Sequence, residues 1–264
     1  MQVDAIVFCG KSSFDDPLLE YMREKTKQHT VTNKSLIKIG DKELLRYIVE
    51  ALHKSGSIRD IYLAGITKDQ IEFDFPVTYL EISSEMPLVD KVDYWIKNYL
   101  EPKGPLSELV ILVNGDIPAA TPESISWFVE ECKKQKADFH YSVVEKEEME
   151  KKFPDSGRTF ARLKDGSFCG ADIFGIDPTT IDLHKEKIRE LQKRRKSFIR
   201  QAFFVSPIKA IRVILRKATL EEVGQLAGKA LKMKVHLIKA PYAEIAMDID
   251  KPHQFDQLQS YLQG

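Results

Sequence analysis

The run Leu109-Val110-Ile111-Leu112-Val113-Asn114-Gly115-Asp116-Ile117-Pro118 decides how the rest of the chain reads. Five consecutive apolar residues fit a strand buried on both faces, as in parallel sheets. Asn-Gly-Asp and a proline then take the chain out of the sheet. Asp116 is left at the carboxyl end of that strand, the edge at which open α/β sheets bind ligands. A carboxylate there can hold a divalent metal, since Mg²⁺ is commonly bound by one or two carboxylates together with nucleotide phosphates. The residue reads equally as a turn residue or as the N-cap of a following helix.

Outward from this run, strand and helix patterns alternate. On the N-terminal side lie a strand from Ala5 to Gly10 and a helix from Leu18 to about Gln28. A short strand with a Gly40-Asp41 turn follows, then a helix from Glu43 to Ser55, where Leu44, Leu45, Ile48, Val49 and Leu52 recur at helical spacing. Strands at Ile58–Ala64 and Pro76–Ile82 and a helix from Leu88 to Leu100 lead up to the central run. After it, Thr121-Pro122-Glu123 starts a helix to about Gln135, and Phe139–Glu145 is another strand. The alternation predicts an α/β fold with a mostly parallel central sheet and helices on both faces, Rossmann-like in plan.

The second half adds a β-hairpin, Arg158–Leu163 returning as Phe168–Ile176 around Asp165-Gly166, and helical elaboration. A charged helix spans Pro178 to Lys196, and apolar helical residues run from Ala202 to Leu215. Thr219 and Glu222 form a capping-box pattern. Val235–Ile238 reads as a strand, Ile245–Asp250 as an acidic strand end, and Pro252–Leu262 as a closing helix. No linker divides the chain, so residues 1–264 read as one domain.

Composition narrows the function classes. At 43% apolar and 30% charged residues, the chain has ample core for a globular domain. Lys+Arg and Asp+Glu balance at 40 each, so no global basicity points to nucleic acid. Cys9, Cys132 and Cys169 are odd in number and widely spaced, forming neither a disulfide framework nor a zinc signature. With no signal peptide and no apolar run near the ~20 residues that span a bilayer, a cytoplasmic protein without a membrane partner is expected. The six histidines show no metal-ligand spacing, and there is no Walker A motif, Gly-x-Gly-x-x-Gly or hydrolase elbow.

Three clusters carry chemistry. Gly10 and Lys11, joined by Lys34, suit a phosphate: glycine permits close backbone approach and lysine neutralises charge. Asp248 and Asp250 would share one face of a strand and could join Asp116 on one metal; otherwise Asp250 caps the last helix and Asp248 makes an ordinary polar contact. Arg158 and Arg162, within the hairpin from Arg158 to Asp172 that includes Lys164 and Gly170, together with the basic run 193–196, could hold a phosphorylated acceptor; a solvated charged face is the other reading of that run.

These landmarks resemble, in order, those of the MobA-like NTP-transferase group, nucleotidyltransferases of the GT-A-like sugar-nucleotide transferase fold. Ala5 to Gly10 is similar to the group's first strand and Leu-Ala-Gly-Gly loop, and Asn33 to Leu45 to its Pro-Lys-x-Leu…Gly-Lys-Pro-Leu segment. Asn114-Gly115-Asp116-Ile117-Pro118 resembles its Gly-Asp-x-Pro metal motif, and Asp248-Ile249-Asp250-Lys251-Pro252 its closing Asp-x-Asp-Thr-Pro. The stretch Arg158 to Gly170 also looks like a hairpin of an uncharacterised bacterial subgroup. The resemblance implies a nucleotide-binding half (1–145) and an acceptor-binding half with the closing metal strand (146–264). It implies that amides near Cys9, Gly10 and Lys11, with Asn114 and Gly115, cradle an NTP, and that Lys34 stabilises charge on the α-phosphate. Asp116 with Asp248, Asp250 or both would hold Mg²⁺ (or Mn²⁺), and an NMP would pass to a phosphorylated acceptor with release of pyrophosphate. The loop departs from the pattern: Cys9-Gly10 replaces Gly-Gly, Asp15-Asp16 bring negative charge, and Lys11, Arg23 or Lys25 stands in for an arginine. A ligand-binding protein without transfer is the second reading. A glycosyltransferase is the third, although Asn114-Gly115-Asp116 supplies only one of the two aspartates it would want.

Overall fold

The central strands of the sheet are largely apolar runs, and its two faces are covered by different helices. The computed structural model describes residues 2–10, 16–26, 28–83, 85–193, 212 and 215–264. Within these, the strands are β1 (Val3–Phe8), β2 (Lys38–Ile39), β3 (Lys42–Glu43), β4 (Ile58–Ala64), β5 (Thr78–Leu80), β6 (Val110–Asn114), β7 (Phe139–Glu145), β8 (Ala161–Leu163), β9 (Gly166–Ile176) and β10 (Val235–Ala240). The helices are α1 (Pro17–Lys25), α2 (Leu44–Lys54), α3 (Leu88–Trp95), α4 (Pro122–Lys133), α5 (Lys146–Lys152), α6 (Ile181–Lys193), α7 (Leu220–Leu231) and α8 (Pro252–Gln263).

The sheet order is β5-β4-β1-β6-β9-β7-β10, with β8 on β9, while β2 and β3 form a separate small hairpin. β1 pairs in parallel with β4 and β6, β4 with β5, and β7 with β10. Helices flank both faces, as the alternating pattern predicts. Along β1 and β6, Val7, Ile111 and Val113 pack with Leu18, Leu45, Ile125 and Phe255 of α1, α2, α4 and α8. Ile6, Val110 and Leu112 pack on the other face with Trp95 of α3 and with Tyr62.

Three features differ from the sequence reading. The first is the hairpin, which is not an appendage. β9 enters the sheet between β6 and β7 and runs antiparallel to both, while its partner β8 keeps only three residues. β9 also bulges: Tyr141 pairs with Phe174, but Val143 pairs with Gly170. The extra residues oppose Ser142, midway along β7, and a bulge of this kind re-aims a side chain. Second, Ile245–Asp250 is not a strand. Ala243–Ala246 is a 3₁₀ turn, followed by irregular chain. The apolar alternation arises because Ile245, Met247 and Ile249 are all fully buried from irregular backbone. Third, the helix Leu88–Leu100 is α3 continued by a π turn over Ile96–Leu100. α5 goes unseen in the sequence because its Lys- and Glu-rich run has one apolar residue, the buried Met149, and so no period. The apolar residues 202–211 and the basic residues 194–196 lie outside the described residues.

His140 of β7 and His236 of β10 are register partners whose Nδ1 atoms lie 3.1 Å apart. Burial, then the neighbouring His236, pushes His140 down to about 4. Neutral His140 therefore stabilises the fold fully above the ordinary histidine value, and that contribution is lost as the pH falls from about 6.5 towards 4. Measured by urea denaturation at pH 7 and pH 5, the wild type should fare about 2 kcal/mol worse on acidification than His140→Gln, the carboxylates contributing equally to both proteins; an equal change in the two would contradict this origin.

Candidate active site

The end of β6 is tied to two other parts of the chain before any side chain is considered. Gly115 N–H donates to the Phe8 carbonyl of β1 at 3.0 Å. A Cβ at Gly115 would stand 3.1 Å from both that oxygen and Ser35 Oγ, a tight fit that favours a residue without one. The Asp116 carbonyl accepts from Ile249 N–H at 3.1 Å, which pins the closing segment to β6. Asp116 does not cap α4. Thr121 does, its Oγ1 accepting from Ser124 N–H at 3.2 Å. Among the described residues, Asp116 Oδ1 is sealed from solvent and has no hydrogen-bond partner.

Around this oxygen the fold gathers charge. The antiparallel course of β9 brings Asp172 beside β6, where Asn114 Nδ2 donates to Asp172 Oδ1 at 2.8 Å. Arg158 Nη2 donates to the Gly170 carbonyl at 2.7 Å and to Asp172 Oδ2 at 3.2 Å, and Nη1 is ion-paired with Asp248. Burial, with the charges of Asp172, Asp248 and Asp250 added, pushes Asp116 up to about 7. Burial and Asp248 push Asp172 up to about 6 against the opposing effects of Arg158 and Asn114. Burial also raises Asp248, with Arg158 acting against it. Burial disfavours the Arg158 charge, but Asp248 and Asp172 outweigh it and hold the guanidinium protonated.

Lys34 opens a 3₁₀ turn (Lys34–Leu36) that Asn33 caps, its Oδ1 accepting from Ser35 N–H at 2.9 Å. Its Nζ donates to Asp250 Oδ1 at 2.9 Å and pairs with Asp16 Oδ2 at 3.0 Å. Asp16 simultaneously caps α1, accepting from Leu18 N–H. Burial lowers the Lys34 pKa, but Asp250 and Asp16 leave it raised overall. Asp248 and Asp250 therefore serve different cations, Arg158 and Lys34; the shared strand face expected of them does not exist. Asp250 is not the cap of α8, whose N-cap is Lys251.

The structure leaves other expected roles unmet. Cys9 N–H donates to Ala64 O at 2.8 Å, since the β1–β4 ladder runs one residue beyond β1, so this amide is not offered to a phosphate. Its thiol is fully buried and pushed up to about 12, chiefly by burial, and is therefore no nucleophile. Gly10 follows it, exposed and with open space where a Cβ would project. Lys11 lies outside the described residues. A Cβ at Gly170 would collide with Tyr141 Oη, so the glycine makes room for that hydroxyl while its carbonyl holds Arg158. Arg162 and Lys164 are exposed on β8 and the turn after it, and among the described residues neither contacts the carboxylates. That turn is instead fastened to α7, through Lys164 N–H to Ala218 O and Leu220 N–H to Asp165. Two members of the site escaped sequence reasoning. Ser35 hydrogen-bonds Cys9, and the buried Lys91 of α3, its pKa lowered by burial, lies close enough to Cys9 to feel its charge. Ser35 lies within the Asn33 to Leu45 segment that the resemblance marks; nothing local distinguished Lys91.

The carboxylates fit a divalent cation. They crowd one place with less positive charge than negative, and the Asp116 oxygen lacks a donor. Among the described residues no three Asp, Glu, His or Cys groups already close around one point. An open set of this kind is what Mg²⁺ uses when nucleotide phosphates and water complete its shell.

A cytidylyltransferase family model matches residues 29–162, just over half of the chain. The chain belongs to the cytidylyltransferase family. The matched stretch holds Lys34, Asn114, Gly115, Asp116 and Arg158, and membership places the protein among the nucleotidyltransferases, the broader class that the sequence resemblance implied. Three solved structures share its fold. A hypothetical transferase from Thermus thermophilus superposes with a TM-score of 0.77 at 22% identity, covering 97% of this chain and 100% of its own. CMP:2-keto-3-deoxy-manno-octonic acid synthetase complexed with CTP gives 0.63 at 8% identity, covering 100% and 99%. The 2-C-methyl-D-erythritol 4-phosphate cytidylyltransferase of Thermus thermophilus gives 0.51 at 13%, covering 100% of both chains. No curated protein matches the sequence. Among the described residues no helix is long and apolar enough to cross a membrane.

The raised carboxylates set a sign for stability. With folded values of about 7 for Asp116 and about 6 for Asp172, the folded state keeps protons that the unfolded chain gives up. Their contribution is full below the ordinary carboxylate value and is lost as the pH rises through these two values. At about pH 8 without divalent cation, Asp116→Asn should be more stable than wild type by roughly 1–3 kcal/mol, an advantage that shrinks towards about pH 5. Urea melts at the two pH values read this directly, and a variant no more stable at the higher pH would remove the case for strained carboxylates.

Proposed function

We propose that the protein transfers CMP from CTP to a phosphorylated or otherwise anionic small-molecule acceptor, such as a sugar phosphate, with Mg²⁺ (or Mn²⁺) and release of pyrophosphate. The observation that carries this reading is the sealed, unpartnered carboxylate oxygen of Asp116 amid Asp172, Asp248 and Asp250. The family supports cytidine as the base. The fold neighbours, one named for a sugar acid and one for a 4-phosphate, favour an anionic acceptor.

An acceptor oxygen attacks the α-phosphorus, an oxygen–phosphorus bond forms, and the bond to the bridging oxygen breaks, with pyrophosphate leaving in line. Asp116 with Asp172 or Asp248 would hold a divalent cation, which when bound would supply Lewis-acid charge neutralisation at the phosphates. Lys34, drawn from Asp250 by the more strongly charged nucleotide, would oppose with its ammonium the charge growing on the α-phosphate. Gly10 leaves room for phosphate oxygens near the backbone. Little covalent chemistry is asked of the protein, so positioning and charge supply the rate.

Pyrophosphate release is measured with each of the four NTPs, Mg²⁺ and a panel of sugar phosphates and sugar acids. CTP with one acceptor should support turnover. Asp116→Ala should abolish it while the fold persists, and Lys34→Ala should lower kcat by about 100-fold or more. The Lys34 pairing with Asp16 and Asp250 favours a second reading, a nucleotide-binding protein that does not transfer. In that case CTP raises the melting temperature but no acceptor yields pyrophosphate. Turnover undiminished by Asp116→Ala refutes the metal assignment.

A further inference from the structure

Arg158 precedes β8 on irregular chain, yet its position is firmly built. Three side chains from the start of α8 hold the segment before it: Gln257 Nε2 donates to Pro154 O at 2.6 Å, Gln254 Nε2 to Ser156 O at 3.0 Å, and Lys251 Nζ to Gly157 O at 3.3 Å. Gly157, at φ +69°, lies so close to α8 that a Cβ would meet His253 Nε2 at 2.6 Å. Gln254 also accepts from the N–H groups of Asp250 and Lys251, both at 2.9 Å. One buried glutamine therefore couples the backbone carrying Arg158 to the backbone carrying Asp248 and Asp250.

From that anchor the guanidinium reaches between Asp172 and Asp248 and rests on the Gly170 carbonyl. Its side chain is 15% exposed, as is that of Asp172, and that of Asp248 is 13% exposed. A planar fork binding two carboxylates with little access to water is a strong and specific arrangement. It also occupies carboxylates beside Asp116 that the cation of the proposed reaction would need. We propose that Arg158 is the resting counter-ion of this site: it competes with the divalent cation for Asp172 and Asp248 and keeps the empty site from retaining metal before nucleotide arrives. This rests on the metal reading of Asp116 given above. Asp116 itself lies outside the grip of Arg158 among the described residues, which leaves one carboxylate to receive the cation first, while the nucleotide phosphates supply the ligands that Arg158 withholds.

The test is Mn²⁺ binding by the purified protein, with the free ion counted by electron paramagnetic resonance, with and without CTP. Without nucleotide, Arg158→Gln should bind Mn²⁺ about tenfold or more tighter than wild type, because a positive charge within a few ångströms of the ligands is removed. Arg158→Lys keeps the charge but cannot span both carboxylates, so its affinity should rise by about threefold, and this variant carries the test if the glutamine variant does not fold. Equal or weaker binding in the folded variants overturns the proposal. If wild type still binds Mn²⁺ with CTP and Asp116→Asn does not, the metal reading survives that failure. If no variant binds Mn²⁺ even with CTP, both fall together.

Discussion

Concentrated negative charge at the mouth of the sheet is the constraint on which the rest of the site depends. Asp116, Asp172, Asp248 and Asp250 reach one region from three places in the chain, and the other three raise the proton affinity of Asp116, as Asp248 and Asp250 raise that of Asp172. Burying carboxylates together costs free energy unless protons, cations or hydrogen-bond donors offset it. The protein offsets it in part, with Arg158 between Asp172 and Asp248, Lys34 against Asp250, and Asn114 on Asp172. What stays uncompensated is Asp116, and that residual demand is what the proposed metal–nucleotide complex would satisfy. The same imbalance that makes the site chemically useful makes it locally unfavourable, the usual relation between stability and function at such sites.

The sheet explains why the carboxylates meet. Parallel strands β1 and β6 present their carboxyl ends at one edge, where Gly115 and Asp116 leave the sheet. An additional parallel strand could bring only its own carboxyl end there. β9 runs the other way, so its middle passes the end of β6 and the middle of β7, and its bulge presents Asp172 beside the end of β6. The closing segment then reaches the same point as irregular chain, held by Ile249 N–H on the Asp116 carbonyl.

Much of this was legible in the sequence, and the limits have physical causes. The buried run before Asn114-Gly115-Asp116 gave both the strand and the position of its carboxylate, because period and turn chemistry are local properties. Lys34, Asp248 and Asp250 were found as landmarks, but their pairing was not, since it depends on where distant segments dock. Asp172 was noticed only as part of a hairpin, because a two-residue slip in register leaves no composition signal. The strand expected at Ile245–Asp250 failed for a related reason: alternation reports which residues are buried, and irregular backbone can bury alternate residues as well as a strand can. The paired histidines, His140 and His236, were invisible to spacing rules because neighbouring strands can bring together residues far apart in sequence.

The hydrogen bond from Ile249 to Asp116 also orders events in time. It joins segments separated by half the chain, and contacts of that range form late because closing so long a loop carries an entropic cost. Until the closing segment docks, β1, β4, β5 and β6 can assemble around their apolar cores, but Asp116 faces neither Asp248 nor Asp250, and Arg158 lacks the α8 side chains that fix it. Assembly of the charge cluster is therefore a late step of folding, and a nascent protein still missing its final helix would carry the scaffold of the sheet without that cluster.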